Sequence, residues 1–131
     1  MVTPLEVEVL ESQPGEVEAA GNIEIMYRIM GVKAARVGDG YNITVVGIYT
    51  ASRFKSQPQQ VVGACIGNIP YRPVPFNIIK LAHATIKVEG RVFDIFVEPI
   101  AVMIADAITP FGEPCIAMNP VIGWSLTSSP P

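Results

Sequence analysis

Charge is the first thing this chain is short of: 16% of its 131 residues are charged, against 50% that are apolar. That much apolar area offsets the entropy lost on ordering, which excludes intrinsic disorder. It also leaves a surface built largely from uncharged polar groups or partly covered by partners. Histidine occurs once, at His83, and cysteine twice, at Cys65 and Cys115. None of these stands at a metal-ligand spacing, so neither a metal nor a cofactor is expected. Long apolar runs are absent too. The longest, Ile100 to Ala105, is about one-third of the roughly 20 residues a membrane helix needs, so no membrane span is expected. The opening Met-Val-Thr-Pro-Leu-Glu-Val-Glu lacks the basic and apolar regions of a secretory leader. It fits a chain kept inside the cell, one given without its targeting segment, or one released by another route, as a virion component is.

The charge that is present is unevenly spread. Residues 1–27 hold six acids and no base, residues 28–91 hold all nine Lys and Arg with two acids, and residues 92–131 hold four acids and no base, giving −6, +7 and −4. A basic middle between acidic ends fits either neutralisation within one molecule or attraction between copies. Because the bases are scattered singly, nucleic acid is not the expected partner.

Read along its length, the chain alternates where strands are expected. Leu5-Glu6-Val7-Glu8-Val9 has period two and is cut off by Pro14-Gly15. The stretch from Asn22 to Ile29 repeats the pattern, with Ile23, Ile25, Tyr27 and Ile29 on one side. Gly38-Asp39-Gly40 has the chemistry of a tight turn. Tyr41 to Ser52 reads as one long, largely buried strand, and Val61 to Ile66 as the next. Three prolines between residues 67 and 75 confine that segment to a loop or an edge. Ala84–Val88 and Arg91–Val97 flank Glu89-Gly90 as a hairpin. After Pro99, the residues Ile100, Met103, Ile104, Ala107 and Ile108 recur at helical spacing, so a short helix is expected there, although a buried strand gives a similar pattern. The fold class is therefore all-β: a small β-sandwich or barrel with at most one short helix near 100–108. The whole of 1–131 reads as one domain, with an N-terminal strand arm over 1–13 and a small polar tail over 125–131 that is expected to be mobile or docked on a neighbour.

Few constellations suggest chemistry. Gly63-Ala64-Cys65-Ile66-Gly67 has the form of a nucleophile elbow, with His83 as the conceivable base, but Pro70, Pro73 and Pro75 follow where a supporting helix is required. Asp94, Glu98, Asp106 and Glu113 read as solvated carboxylates unless the fold pairs them. Asn42-Ile43-Thr44 matches a glycosylation acceptor, meaningful only on a secretory route. Tyr27, Tyr41, Tyr49, Tyr71, Phe54 and Phe76 mingle with Arg28, Arg53, Lys55 and Arg72 as stacking residues on single strands do, but they read first as packing. A disulfide between Cys65 and Cys115 stays open, because sequence does not set their separation.

Three functions remain. The first is a structural subunit that assembles with copies of itself, as in a virion, tail or filament. Leu5, Val7 and Val9 of the N-terminal strand would add to the sheet of a neighbour, making the chain a homo-oligomer. The second is a small β-barrel module for a ligand or nucleic acid, and the third a small Cys-dependent hydrolase. The first is preferred, with a virion or the cell exterior as its setting. No catalytic residue is assigned, and any small-molecule ligand is left open. Many β-branched residues, 12 prolines and sparse lysine also suit a thermostable chain.

Overall fold

The computed structural model describes residues 2–56, 65 and 69–127, and among them every regular element is a strand. There are twelve: β1 (Val2–Leu5), β2 (Glu8–Gln13), β3 (Gly15–Ala19), β4 (Ile23–Ile29), β5 (Val32–Val37), β6 (Gly40–Val45), β7 (Ile48–Phe54), β8 (Arg72–Pro73), β9 (Phe76–Lys80), β10 (Ala82–Val88), β11 (Arg91–Ile108) and β12 (Pro114–Leu126). They form three antiparallel sheets, ordered β1-β5-β6, β7-β4-β3-β9 and β12-β11-β10-β2, the last joined by β8 alongside β11. The sheets pack on one another as a small sandwich, not a closed barrel.

Period-two burial explains the elements. In β4 the inward side is Ile23, Ile25, Tyr27 and Ile29, all buried, as the sequence predicts. In β10 it is Ala82, Ala84, Ile86 and Val88, while Phe93, Ile95 and Val97 of β11 continue the same layer. These residues meet Val17 and Ala19 of β3 in a single core, and each large side chain so buried contributes about 1.5–3 kcal/mol. The predicted hairpin is present. Glu89 and Gly90 have φ of 51° and 76°, both positive, as the twist of a two-residue β-turn requires.

Two expectations are corrected. Residues 100–108 are not helix but the second half of the 18-residue strand β11. The ladder to β12 shifts register between Pro99 and Ala101 and again between Ala105 and Ile108. Each shift moves the buried side to the other parity, so burial falls on Pro99, Val102, Ile104, Ala105 and Ala107. Of the five residues at helical spacing only Ile104 and Ala107 are buried, and Ile100 is 59% exposed, so the apolar spacing that suggests a helix is not the face this bulged strand buries. Tyr41 to Ser52 is likewise not one buried strand. It breaks at Val46-Gly47, where Gly47 has a φ of 82°, and its halves β6 and β7 belong to different sheets and are largely wet. The strand expected over Val61–Ile66 lies outside the described residues, apart from Cys65.

The centre of the sandwich is polar at one point. Tyr27 of β4 is fully buried, donates its hydroxyl hydrogen to the Val97 carbonyl at 2.6 Å and accepts from the Ala82 amide at 3.1 Å, tying one sheet to the other. Its cross-strand neighbour is Gly15, where a Cβ would collide with the Tyr27 ring and the Ala82 nitrogen. Burial raises the pKa of the phenol above its ordinary 10.0; the Ala82 hydrogen bond opposes this and the charge of Glu98 adds to it.

Tyr27→Phe is expected to cost about 1–3 kcal/mol at neutral pH, since it strands the Val97 carbonyl and the Ala82 amide. The folded chain holds the phenolic proton after the unfolded chain has released it. This contribution is therefore intact below pH 10 and declines as pH rises from there through the elevated folded value. Urea titrations should show a steeper alkaline loss in the parent than in Tyr27→Phe; parallel pH profiles would refute the assignment. Gly15→Ala should cost about 1–3 kcal/mol by overpacking in the same assay.

Candidate functional site

The residues singled out from the sequence scatter in the fold. Cys65 is bonded to Cys115 with their Cα atoms 5.6 Å apart, so it is no free thiol, and the Cys65–His83 pairing falls away. His83 instead stands opposite Phe96 on the β10–β11 ladder and reaches diagonally to Asp94. Its Nε2 lies 3.0 Å from Asp94 Oδ1, which also accepts from Thr85 Oγ1 at 3.0 Å, and its ring stacks on Phe96. A carboxylate only accepts, so the nitrogen facing it is the protonated one. Glu98 and Asp106 are exposed on β11, and Glu113 closes a turn with Thr109. Among the described residues, no three His, Cys, Asp or Glu gather as a metal site would require, and no helix is long and apolar enough to cross a membrane.

The aromatic residues do not share one face. Tyr27 is in the core, Phe54 and Phe76 pack against it, and Tyr41 sits edge-on to Phe93 with Arg36 and Arg91 over its ring. Five of the nine bases are drawn into ion pairs: Arg36 with Glu89, Arg53 with Glu24, Lys55 with Glu18, Arg72 with Asp106 and Lys80 with Glu16. Glu89 holds the pKa of Arg36 above its ordinary value by hydrogen bond and charge. A groove of about 500 Å³ crosses the outer face of the β7-β4-β3-β9 sheet, but its acids Glu16, Glu18 and Glu24 are the ones already paired. Asn42 and Thr44 are exposed on β6.

Leu5 and Val7 are half-buried against the core, with Leu5 opposite Ala34 of β5, whereas Val9 stands opposite Ile86 of β10 and is 50% exposed. The arm thus takes one row of main-chain partners from its own chain. Each of β1 and β2 still ends its sheet, so its other row faces outward.

The most distinctive surface was not singled out in the sequence. β12 is a 13-residue strand without a charged residue, at the far edge of the β12-β11-β10-β2 sheet from β2. Its first half is anchored: Cys115 is buried beside Ala105 and Ala107, and the Pro114 carbonyl accepts from Ser52 of β7. Its second half is not. Every residue from Asn119 to Leu126 is exposed, including Val121, Ile122, Trp124 and Leu126. The only partial signal in the sequence is the absence of Lys, Arg, Asp and Glu from Pro114 to the end.

Comparison with known proteins returned no match, whether to a protein-family profile, a curated protein or a solved structure. Function therefore has to be read from the geometry.

Natural sheets blunt their edges with charge, proline or a covering segment, because an exposed apolar edge recruits further strands. The described edges differ in this respect. β2 carries Glu8 and Glu11, β7 carries Arg53, β9 ends on Lys80 and β1 contains Pro4. β6 and β12 beyond Pro120 have neither charge nor proline, but the exposed residues of β6 are Gly40, Asn42 and Thr44, whereas β12 sets Val121, Ile122, Trp124 and Leu126 in water.

The bridge closes a loop across a sequence separation of 50. In a chain-entropy account such a loop contributes about 4 kcal/mol. Reduction with dithiothreitol should lower the urea midpoint accordingly and leave a Cys65→Ser, Cys115→Ser double variant unaffected; equal midpoints for oxidised and reduced parent would remove the bridge from the account of stability.

Proposed function

We propose that this protein is a structural subunit that assembles with copies of itself through its sheet edges, as a component of a virion, tail or filament does. The observation that carries this reading is the outer edge of β12, an uncharged strand end with four large apolar side chains in water. A chain with so little charge has few other means of keeping such an edge soluble, so the edge reads as one that is covered in use. The N-terminal arm supplies a second surface of the same kind, with the outer rows of β1 and β2 and the half-exposed Val9. Electrostatic contacts between copies would draw on groups outside the ion pairs, among them Glu6, Glu8 and Glu11 towards the start of the chain and the bases Arg28, Lys33, Lys87 and Arg91. The disulfide is in keeping with an oxidising setting outside the cell or with a thermophilic source.

Light scattering coupled to gel filtration, run across the micromolar range, is expected to give a mass above that of one chain that grows with concentration. A single-chain mass throughout that range would overturn the proposal.

A further inference from the structure

The way β12 faces outward specifies a partner for it. The Thr127 amide donates to the Val92 carbonyl, which makes Thr127 and Val92 a hydrogen-bonded pair of the β11–β12 ladder. Such pairs alternate along an antiparallel ladder. Going back from Thr127 in the observed register, Ser125, Gly123 and Val121 point their amides and carbonyls at β11, while Leu126, Trp124, Ile122 and Pro120 point theirs away. Pro120 lacks an amide hydrogen, so it fits that outward position without loss to the ladder and ends the usable edge. What remains on offer is the main chain of Ile122, Trp124 and Leu126.

The side chains of these three residues share a face. They stand opposite Val97, Ile95 and Phe93, all buried, so they belong to the inward layer of the sheet, yet they are 36%, 39% and 45% exposed. They overhang the core at its rim, where Trp124 meets only the edge of Phe93 among the aromatic rings. An added strand that satisfies both rows must therefore be apolar on that face and neutral along its length. β2 does not meet this requirement, because Glu8 and Glu11 would lie beside uncharged neighbours. β6 is neutral, but Arg36 and Arg91 crowd its Tyr41. The matching strand is β12 itself.

Resting on the self-assembly reading, we propose that two copies join β12 to β12 in antiparallel fashion about a two-fold axis at Trp124. Trp124 of each chain then faces its counterpart, and Ile122 of each faces Leu126 of the other. About six main-chain hydrogen bonds form, and one apolar stripe runs across the seam. Centring the axis on Ile122 instead would set Pro120 opposite Trp124 and forfeit donors, which selects the first register. No like charges meet, since the strand has none. The contact is isologous and closes on itself, so further growth has to use other edges.

Trp124 is the sole tryptophan of the chain, so its emission reports on the seam without any substitution. On dilution from micromolar to nanomolar, the emission maximum should move to the red as the scattering mass falls. At a concentration where the parent is assembled, Ile122→Lys and Leu126→Lys should each reduce the mass by about half or more. Ser125→Lys, on the opposite face, should keep the parent mass. An assembled parent whose emission stays fixed through dissociation, or whose mass survives both lysine substitutions, would overturn the β12 seam while leaving self-assembly intact. A parent that is a single chain at every concentration would overturn both.

Discussion

Apolar burial has no direction, so two greasy sheets held by it alone could meet at many offsets. The Tyr27 hydroxyl removes that freedom. It is an oxygen deep in the core that can be satisfied in one alignment only, with Val97 and Ala82 of the facing sheet at hydrogen-bond distance. The cost of leaving it unpaired is what makes that alignment specific. The ring reaches across because Gly15, opposite it on β3, has no side chain to stand in the way. The register of β4 on β3, the stacking of the sheets and the position of β10 and β11 all follow from this one bridge. The edge strands β2 and β12 take their places from β10 and β11 in turn.

Much of this architecture was legible from alternation. β4 has a strict period-two pattern and is a strand with the predicted side inward, and the hairpin of β10 and the first half of β11 stands where its two β-rich runs and Glu89-Gly90 place it. Legibility failed where the pattern changes parity. The bulges beyond Pro99 move burial from odd to even positions and back, so no single alternation runs through the segment, and the chance spacing of its apolar residues reads as helix instead. β3 was hard to see for the opposite reason: its inward residues Gly15, Val17 and Ala19 include two too small to give an apolar signal. The candidate site was less legible still. That β12 ends a sheet is a fact of strand order, and sequence does not reveal whether a neutral strand is central or peripheral. In the arm, the alternation predicts a dry face of Leu5, Val7 and Val9, which holds for the half-buried Leu5 and Val7 but not for Val9, because the segment divides between two sheets and β2 lies exposed along its length.

β12 itself is two objects in one strand. Up to Met118 it is core, closed by Cys115, Ala105 and Ala107 and covalently tied to Cys65. From Asn119 onward it stays paired with β11, but every residue to Leu126 is exposed. Anchoring the first half restrains the second, so the exposed end meets a partner already extended and loses little freedom on pairing. A free peptide of the same composition would have to become ordered at that moment.

The five ion pairs carry a consequence at longer range. The sequence separates its charges into three blocks, but folding brings Glu16, Glu18 and Glu24 from the acidic start, and Asp106 from the acidic end, onto bases of the middle. Opposite signs a few ångströms apart cancel within the screening distance of ordinary salt, about 8–10 Å. What acts at a distance on an approaching copy is the charge left outside the pairs, with Glu6, Glu8 and Glu11 towards the start of the chain and Arg28, Lys33, Lys87 and Arg91 along its middle. Guidance between subunits then rests on those few groups alone, and its reach shortens as the ionic strength of the surroundings rises.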